Sequence, residues 1–147
     1  MKAGPKARAA ARMGAVQALY QHEMEGTKQA PLLNEFHQHR LGAEIDELTF
    51  NEAETAFFDD LVIGTLARRD EIDALLTERL ASGWSLARLD RTMLQILRVG
   101  TYELLARADV PTNTAITEYV DVAHAFFDSR EAKFANGVLD GVAKAVR

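Results

Sequence analysis

Apolar residues recur at three- and four-residue steps along most of the chain, and each such stripe predicts one buried helix face. Met13, Val16, Tyr20 and Met24 predict a first helix that stops at Gly26. Leu32, Leu33 and Phe36 predict one or two turns after Pro31. The paired stripe Phe57, Phe58, Leu61, Val62, Thr65 and Leu66 predicts a third helix, and Ile72, Leu75, Leu76 and Leu80 a fourth, beyond a polar break at 68–70. A longer helix follows Gly83 through Leu89, Met93, Ile96, Leu97, Gly100 and Leu104, ending at the break over 108–111. Ile116, Tyr119, Val120, Ala123, Phe126 and Phe127 carry the next, and Phe134, Val138, Leu139, Val142 and Val146 the last. No stretch alternates with the period of two that a strand needs, so the pattern is all-α, with about seven helices packed as bundles.

Pro5, Pro31 and Pro111 fall where the periodicity breaks, where a missing N–H harms a helix least. No segment repeats at a fixed period, which argues against a solenoid. A chain of 147 residues, 48% apolar, is expected to form one domain over residues 1–147 with a core that needs no disulfide or structural metal. Cysteine is absent, which removes disulfides, thiolate zinc sites, iron–sulfur clusters and a cysteine nucleophile. The basic start has no apolar signal core behind it and no run approaches a membrane span, so a cytoplasmic protein that meets no membrane is expected.

The remaining chemistry is sparse. Ser82, Ser85 and Ser129 are the only serines, and none sits in a G-x-S-x-G elbow. The segment GVLDGVAK, residues 137–144, has the wrong spacing for a phosphate loop and lies inside a helical pattern. Glu35, His37 and His39 lack a third ligand at helical spacing, so His37 and His39 read as surface residues, as do the isolated His22 and His124. Nothing in this inventory calls for an enzyme, a metal or a cofactor.

Charge changes the picture, because a chain of net charge -5 opens with Lys2, Lys6, Arg8 and Arg12 and has no acid before Glu23. Between Glu44 and Asp60 the sign reverses, with seven acids and no base, which reads as a solvated negative flank or as a docking site for a basic partner. On a helical wheel Arg8, Arg12, Ala15 and Leu19 form a line flanking the Met13–Tyr20 stripe. Two readings stand: residues 1–12 are a solubilising terminus, or a basic arm leading into the first helix and binding nucleic acid. Ala7, Ala9, Ala10 and Ala11 favour the arm, since small side chains let a phosphate chain approach while guanidinium groups reach it. Four single-strand phosphate contacts give a log–log salt slope of roughly -3, which is weak binding that needs a partner to complete it.

Four blocks, ARMGAVQALYQ, ILRVGTYELL, DVPTNTAITEYVDVAHAF and KFANGVLDGVA, in this order and across nearly the whole chain, resemble the NusB family. The resemblance implies two small helical bundles and a role in transcription antitermination. It further implies a heterodimer with NusE, a small-subunit ribosomal protein, that binds boxA RNA in ribosomal RNA leader transcripts within the RNA polymerase antitermination complex. In that family the arginine-rich start contacts boxA, and Lys6, Arg8 and Arg12 fall in this segment; Ala9 and Ala10 stand where many relatives have further arginines. Tyr20 matches a residue near the RNA-contacting surface, with an equal reading as a core-edge tyrosine. Lys133 and Phe134 match a pair that the family places beside its arginine-rich segment, where an aromatic can stack on an unpaired base; core packing is the rival for Phe134. Arg130 reads either as a phosphate contact or as a helix cap, and Asn136 and Gly137 as close-packing residues.

Arg88, Arg91, Gln95 and Arg98 form a polar stripe that reads as a solvated face, and Glu103 is expected to pair with Arg107 on the surface. NusE is expected on the middle helices. One rival function is the RNA-binding domain related to that of ribosomal RNA cytosine methyltransferases, although the sequence given leaves no room after KFANGVLD for a methyl-donor domain. The other is a self-associating, homodimeric interaction module. Replacing Arg8 and Arg12 by alanine is expected to weaken boxA binding with little loss of thermal stability.

Overall fold

The computed structural model describes residues 5–41 and 52–147. Among these it contains seven α-helices and no strand, in accord with the periodicity: α1 (Pro5–Glu25), α2 (Gln29–Glu35), α3 (Glu52–Ala67), α4 (Arg69–Thr77), α5 (Arg91–Ala106), α6 (Thr112–Phe126) and α7 (Ser129–Val146). A π-helical turn, Phe36–Leu41, follows α2, and a 3₁₀ turn, Leu86–Arg88, precedes α5. The chain divides into two compact units, Met1–Gly64 and Thr65–Arg147, with the boundary inside α3.

In the first unit α1 packs on α2 and the π-helical turn. Pro5 opens α1, where its missing N–H is one of the unpaired helix-start donors anyway, and Gly26 closes it with φ of 74°, a left-handed conformation that glycine adopts without strain. Pro31 lies inside the first turn of α2 rather than before it, for the same reason. Phe36 and Phe58 stack with ring centroids 5.7 Å apart, and His37 Nε2 meets Asp59 Oδ1 at 2.6 Å, joining the π-helical turn to α3. His37 is therefore tethered, unlike the free surface histidine the sequence suggested; His39 has its side chain outside the described residues.

The face of α1 that is buried differs from the one its large apolar residues predict. Ala7, Ala11, Ala15, Val16, Ala18 and Leu19 are buried, whereas Met24 and Tyr20 are exposed and Met13 is half-buried. Small side chains let α1 be approached closely, so the alanine line carries the packing with Val16 and Leu19, while Tyr20 and Met24 of the predicted stripe turn outward. Arg12 lies on that buried face.

The second unit is built around α5, which has Met93, Leu94, Ile96, Leu97, Val99 and Leu104 buried together with the polar Gln95, Thr101 and Glu103. A helix covered on nearly every side has no solvated face, so the expected polar stripe is corrected residue by residue. Gln95 is buried, and Arg98 donates from Nε and Nη2 to the two carboxylate oxygens of Asp73 on α4, each at 2.9 Å. Arg91 Nη2 donates to the carbonyls of Leu86 and Leu89, both at 2.7 Å, tying down the 3₁₀ turn. Glu103 is buried rather than at the surface and accepts from the Tyr119 hydroxyl at 2.7 Å, and Arg107 pairs with Asp109.

Gly100, unlike Gly137, is a point of close approach in this unit. A Cβ on Gly100 would lie 3.0 Å from Leu139 Cδ2 and 3.3 Å from Tyr119 Cγ, so hydrogen alone lets α6 and α7 seat against α5. A Cβ on Gly137 would meet nothing within 4 Å, and Asn136 and Gly137 are both exposed, which overturns their packing assignment.

Candidate nucleic-acid interface

Two separate groups of side chains, one on each unit, hold the residues that the sequence singles out. The first is on α1. Lys6 is exposed, Arg8 is half-buried, and Tyr20 is 38% exposed, farther along the helix. Arg12 was expected to flank the core with its guanidinium outward; it is only 3% exposed. Its guanidinium carbon lies 5.2 Å from the centroid of the Phe57 ring, and that of Arg8 lies 4.3 Å from the same centroid.

Burying a guanidinium requires compensating charge, and α3 brings it one turn before Phe57. Glu54 is fully buried. Its carboxyl is pushed above the usual value of 4.5 by that burial, while the positive charges of Arg8 and Arg12 pull it back down. Glu54 was expected in the solvated negative flank and is buried instead, whereas Asp59 stays partly exposed while it pairs with His37. Glu44, Asp46 and Glu47 of that flank, like Lys2 of the arm, lie outside the described residues.

The second group is on α7. Asp128 caps this helix, accepting from the Arg130 N–H at 2.9 Å, so the side chain of Arg130 is not the cap. Hydrogen bonding with the Glu131 side chain and then with the Arg130 N–H holds the Asp128 carboxyl below its ordinary value. Arg130 and Phe134, one turn apart, line the same cavity of about 450 Å³, with Trp84, Leu89, Met93 and Phe127 also in its wall. Phe134 keeps 38% of its surface exposed. Lys133 points elsewhere, into a shallower groove of about 330 Å³ with Thr117, His124, Ser129 and Asn136.

Trp84 is the residue that the stripes did not flag. It is 54% exposed and has the Arg88 guanidinium 5.3 Å from its ring, while Arg88 Nη1 donates to the Gly83 carbonyl at 2.9 Å. The available signal was compositional: the chain's single tryptophan stands in SGWS, outside every apolar stripe, where a core residue has no helix to belong to. Aromatic faces beside guanidinium groups, half open to solvent, suit unstacked bases and their phosphates. Among the described residues no three His, Asp or Glu side chains gather to hold a metal, and no helix is long and apolar enough to cross a membrane.

The fold defines the class: an all-helical protein of two compact units, with cations and aromatics among its exposed residues. The particular family follows from similarity. Residues 9–144 match the model of the NusB family. The chain is 70% identical over 142 residues to the transcription antitermination protein NusB of Novosphingobium aromaticivorans, covering 97% of this chain and 96% of that protein. It is 49% identical over 140 residues to the transcription antitermination protein NusB of Allorhizobium ampelinum, covering 95% and 88%. Among solved structures, T. maritima NusB gives a TM-score of 0.79 at 29% identity, covering 97% of this chain and 93% of that one. Antitermination factors NusB and NusE in complex with dsRNA give 0.80 at 24% identity, covering 97% and 99%, a likeness of fold. The chain belongs to the NusB family and is a transcription antitermination factor, not an enzyme.

Proposed function

We propose that this protein binds boxA RNA of ribosomal RNA leader transcripts as a heterodimer with NusE, and that the pair keeps RNA polymerase processive through the antitermination complex. Lys6 and Arg8 on α1 and Arg130 and Lys133 on α7 supply phosphate contacts, while Tyr20 and Phe134 offer rings to unpaired bases. The observation that carries this reading is the cavity in which half-exposed Phe134 and exposed Trp84 stand beside Arg130 and Arg88, since aromatic faces flanked by cations are what an unstacked, charged strand requires. A NusB of the same fold captured with NusE and dsRNA supports it. The site of action is the cytoplasm, where transcripts emerge.

The test is a titration of a boxA oligonucleotide and a scrambled one into the protein, alone and with NusE. Tighter binding of boxA by the pair than by either protein alone is expected; equal affinity for both sequences in the presence of NusE would defeat the reading. The apolar walls of the same cavity favour one rival, self-association into a homodimer. Light scattering separates the two, because a homodimer that covers Phe134 binds RNA only after it dissociates.

A further inference from the structure

The buried arginine of α1 has no use as a phosphate contact, and what surrounds it suggests a different task. Arg8 and Arg12 are one turn apart, and both guanidinium groups approach the ring of Phe57, at 4.3 and 5.2 Å. Phe57 is 2% exposed, Arg12 3% and Glu54 not at all, so only Arg8 of this cluster reaches solvent. Glu54 interacts electrostatically with both arginines.

We propose that Glu54, Phe57 and Arg12 form a preformed cradle that fixes the pose of Arg8 for RNA, making all three positioning residues and Arg8 the contact. The inference rests on the RNA-binding reading of α1 given above. A guanidinium stacked on a ring uses its flat face and keeps its edge N–H groups for an oxygen acceptor, so Arg8 remains a phosphate donor while its long side chain is held still. Holding that side chain before RNA arrives removes the ordering cost that a free arginine would meet on binding. The opposite charge of Glu54 acts on both arginines, and Arg12 shares the Phe57 ring with Arg8.

The experiment reads the slope of log affinity against log salt for the boxA oligonucleotide with the full chain and NusE. Arg8→Ala is expected to flatten the slope by about 0.7, the loss of one single-strand phosphate contact. Arg12→Met alone leaves Glu54 without its buried counter-charge and can fail to fold, so it is combined with Glu54→Met, which removes both charges and approximately conserves volume. The double variant is expected to keep the wild-type slope while binding more weakly at every salt concentration. Phe57→Leu, measured below its own melting temperature, is expected to bind about three- to tenfold more weakly with the slope unchanged, the size of the ordering cost of one long side chain.

A double variant whose slope flattens by about 0.7 would make Arg12 a phosphate contact and overturn the proposal. Wild-type affinity in Phe57→Leu, or an unchanged slope in Arg8→Ala, would overturn it as well. None of those results touches binding through α7, so the RNA reading would survive them if Phe134 variants still lose affinity. Failure of the native pair to prefer boxA would sink both.

Discussion

Replacing Phe134 separates base stacking from packing, because the half-exposed ring is placed where either role is open to it. Truncation of a fully buried phenylalanine to alanine costs about 3–5 kcal/mol. Phe134 keeps 38% of its surface exposed, so Phe134→Ala is expected to lose roughly 2–3 kcal/mol, and the melting temperature to fall by about 4–12 °C for a chain of this size. Loss of one stacked base costs about 1–3 kcal/mol more on the RNA side, or roughly 5- to 150-fold in Kd. Alanine alone confounds these terms, and Phe134→Leu does not. Leucine still lies against Met93, Leu89 and the Phe127 ring that share the cavity, at a stability cost of about 1 kcal/mol, but it has no π face. Calorimetry and boxA titration of both variants with NusE, at a temperature where each is folded, supply the two readouts. Leucine is expected to recover most of the stability and none of the affinity. If Phe134→Leu binds boxA like the wild type, the ring is a packing residue and the stacking argument fails.

Three further outcomes follow from the packing and the charges. Gly100→Ala gains about 1 kcal/mol of helix propensity but forces a Cβ against Leu139 and Tyr119, both fully buried, and overpacking costs about 1–3 kcal/mol; calorimetry should show a melting temperature lowered by a few degrees, and a rise would contradict the close approach. Tyr119→Phe removes the 2.7 Å donation to buried Glu103, worth about 1.5–3 kcal/mol for a bond to a charged group; urea unfolding with an unshifted midpoint would count against it. Glu54 has its folded pKa raised above 4.5, so the native state holds this proton more tightly than the unfolded chain. Its contribution is fully present below 4.5 and is lost as pH rises through the folded value. Denaturant melts across that range should show wild-type stability falling relative to Glu54→Gln as pH increases; a difference that grows in the wild type's favour would reverse the assigned sign.

Most of the fold was legible because its signals are local. The paired stripe from Phe57 to Thr65 is buried as its spacing requires, and Gly26 and Pro111 mark helix ends that short-range sterics impose. What was hidden depends on residues far apart in sequence. Alanine scores as neutral in a stripe, so the buried face of α1 was assigned to its larger neighbours; only the close packing of that helix shows why Ala7, Ala11 and Ala15 lie inside. Arg12 reads as a surface cation until Glu54 and Phe57, on another helix, are seen to meet it. Gln95 and Glu103 mimic a solvated face because polarity in a sequence does not reveal a partner such as Tyr119, sixteen residues on. Lys6, Tyr20, Arg130, Lys133 and Phe134 were found at exposed or half-exposed positions, as a contact surface requires.

The salt dependence ties these corrections together. The sequence predicts a slope near -3 from Lys2, Lys6, Arg8 and Arg12, at about -0.7 per contact. Burial withdraws Arg12, which leaves Lys6 and Arg8 as the cations of that set among the described residues. Arg130 and Lys133 are exposed on α7, and these four described candidates would together give roughly -3, divided between two helices. Neutralising Lys6 with Arg8, or Arg130 with Lys133, should therefore flatten the slope by about 1.4 in either case. A slope that depends on α1 alone would remove α7 from the electrostatic contact and leave Phe134 to act without charge beside it. Four contacts are too few to hold a strand firmly at cellular salt in a chain whose net charge is -5. On the proposed reading, discrimination among sequences then comes from rings meeting unpaired bases and from the surface a partner adds.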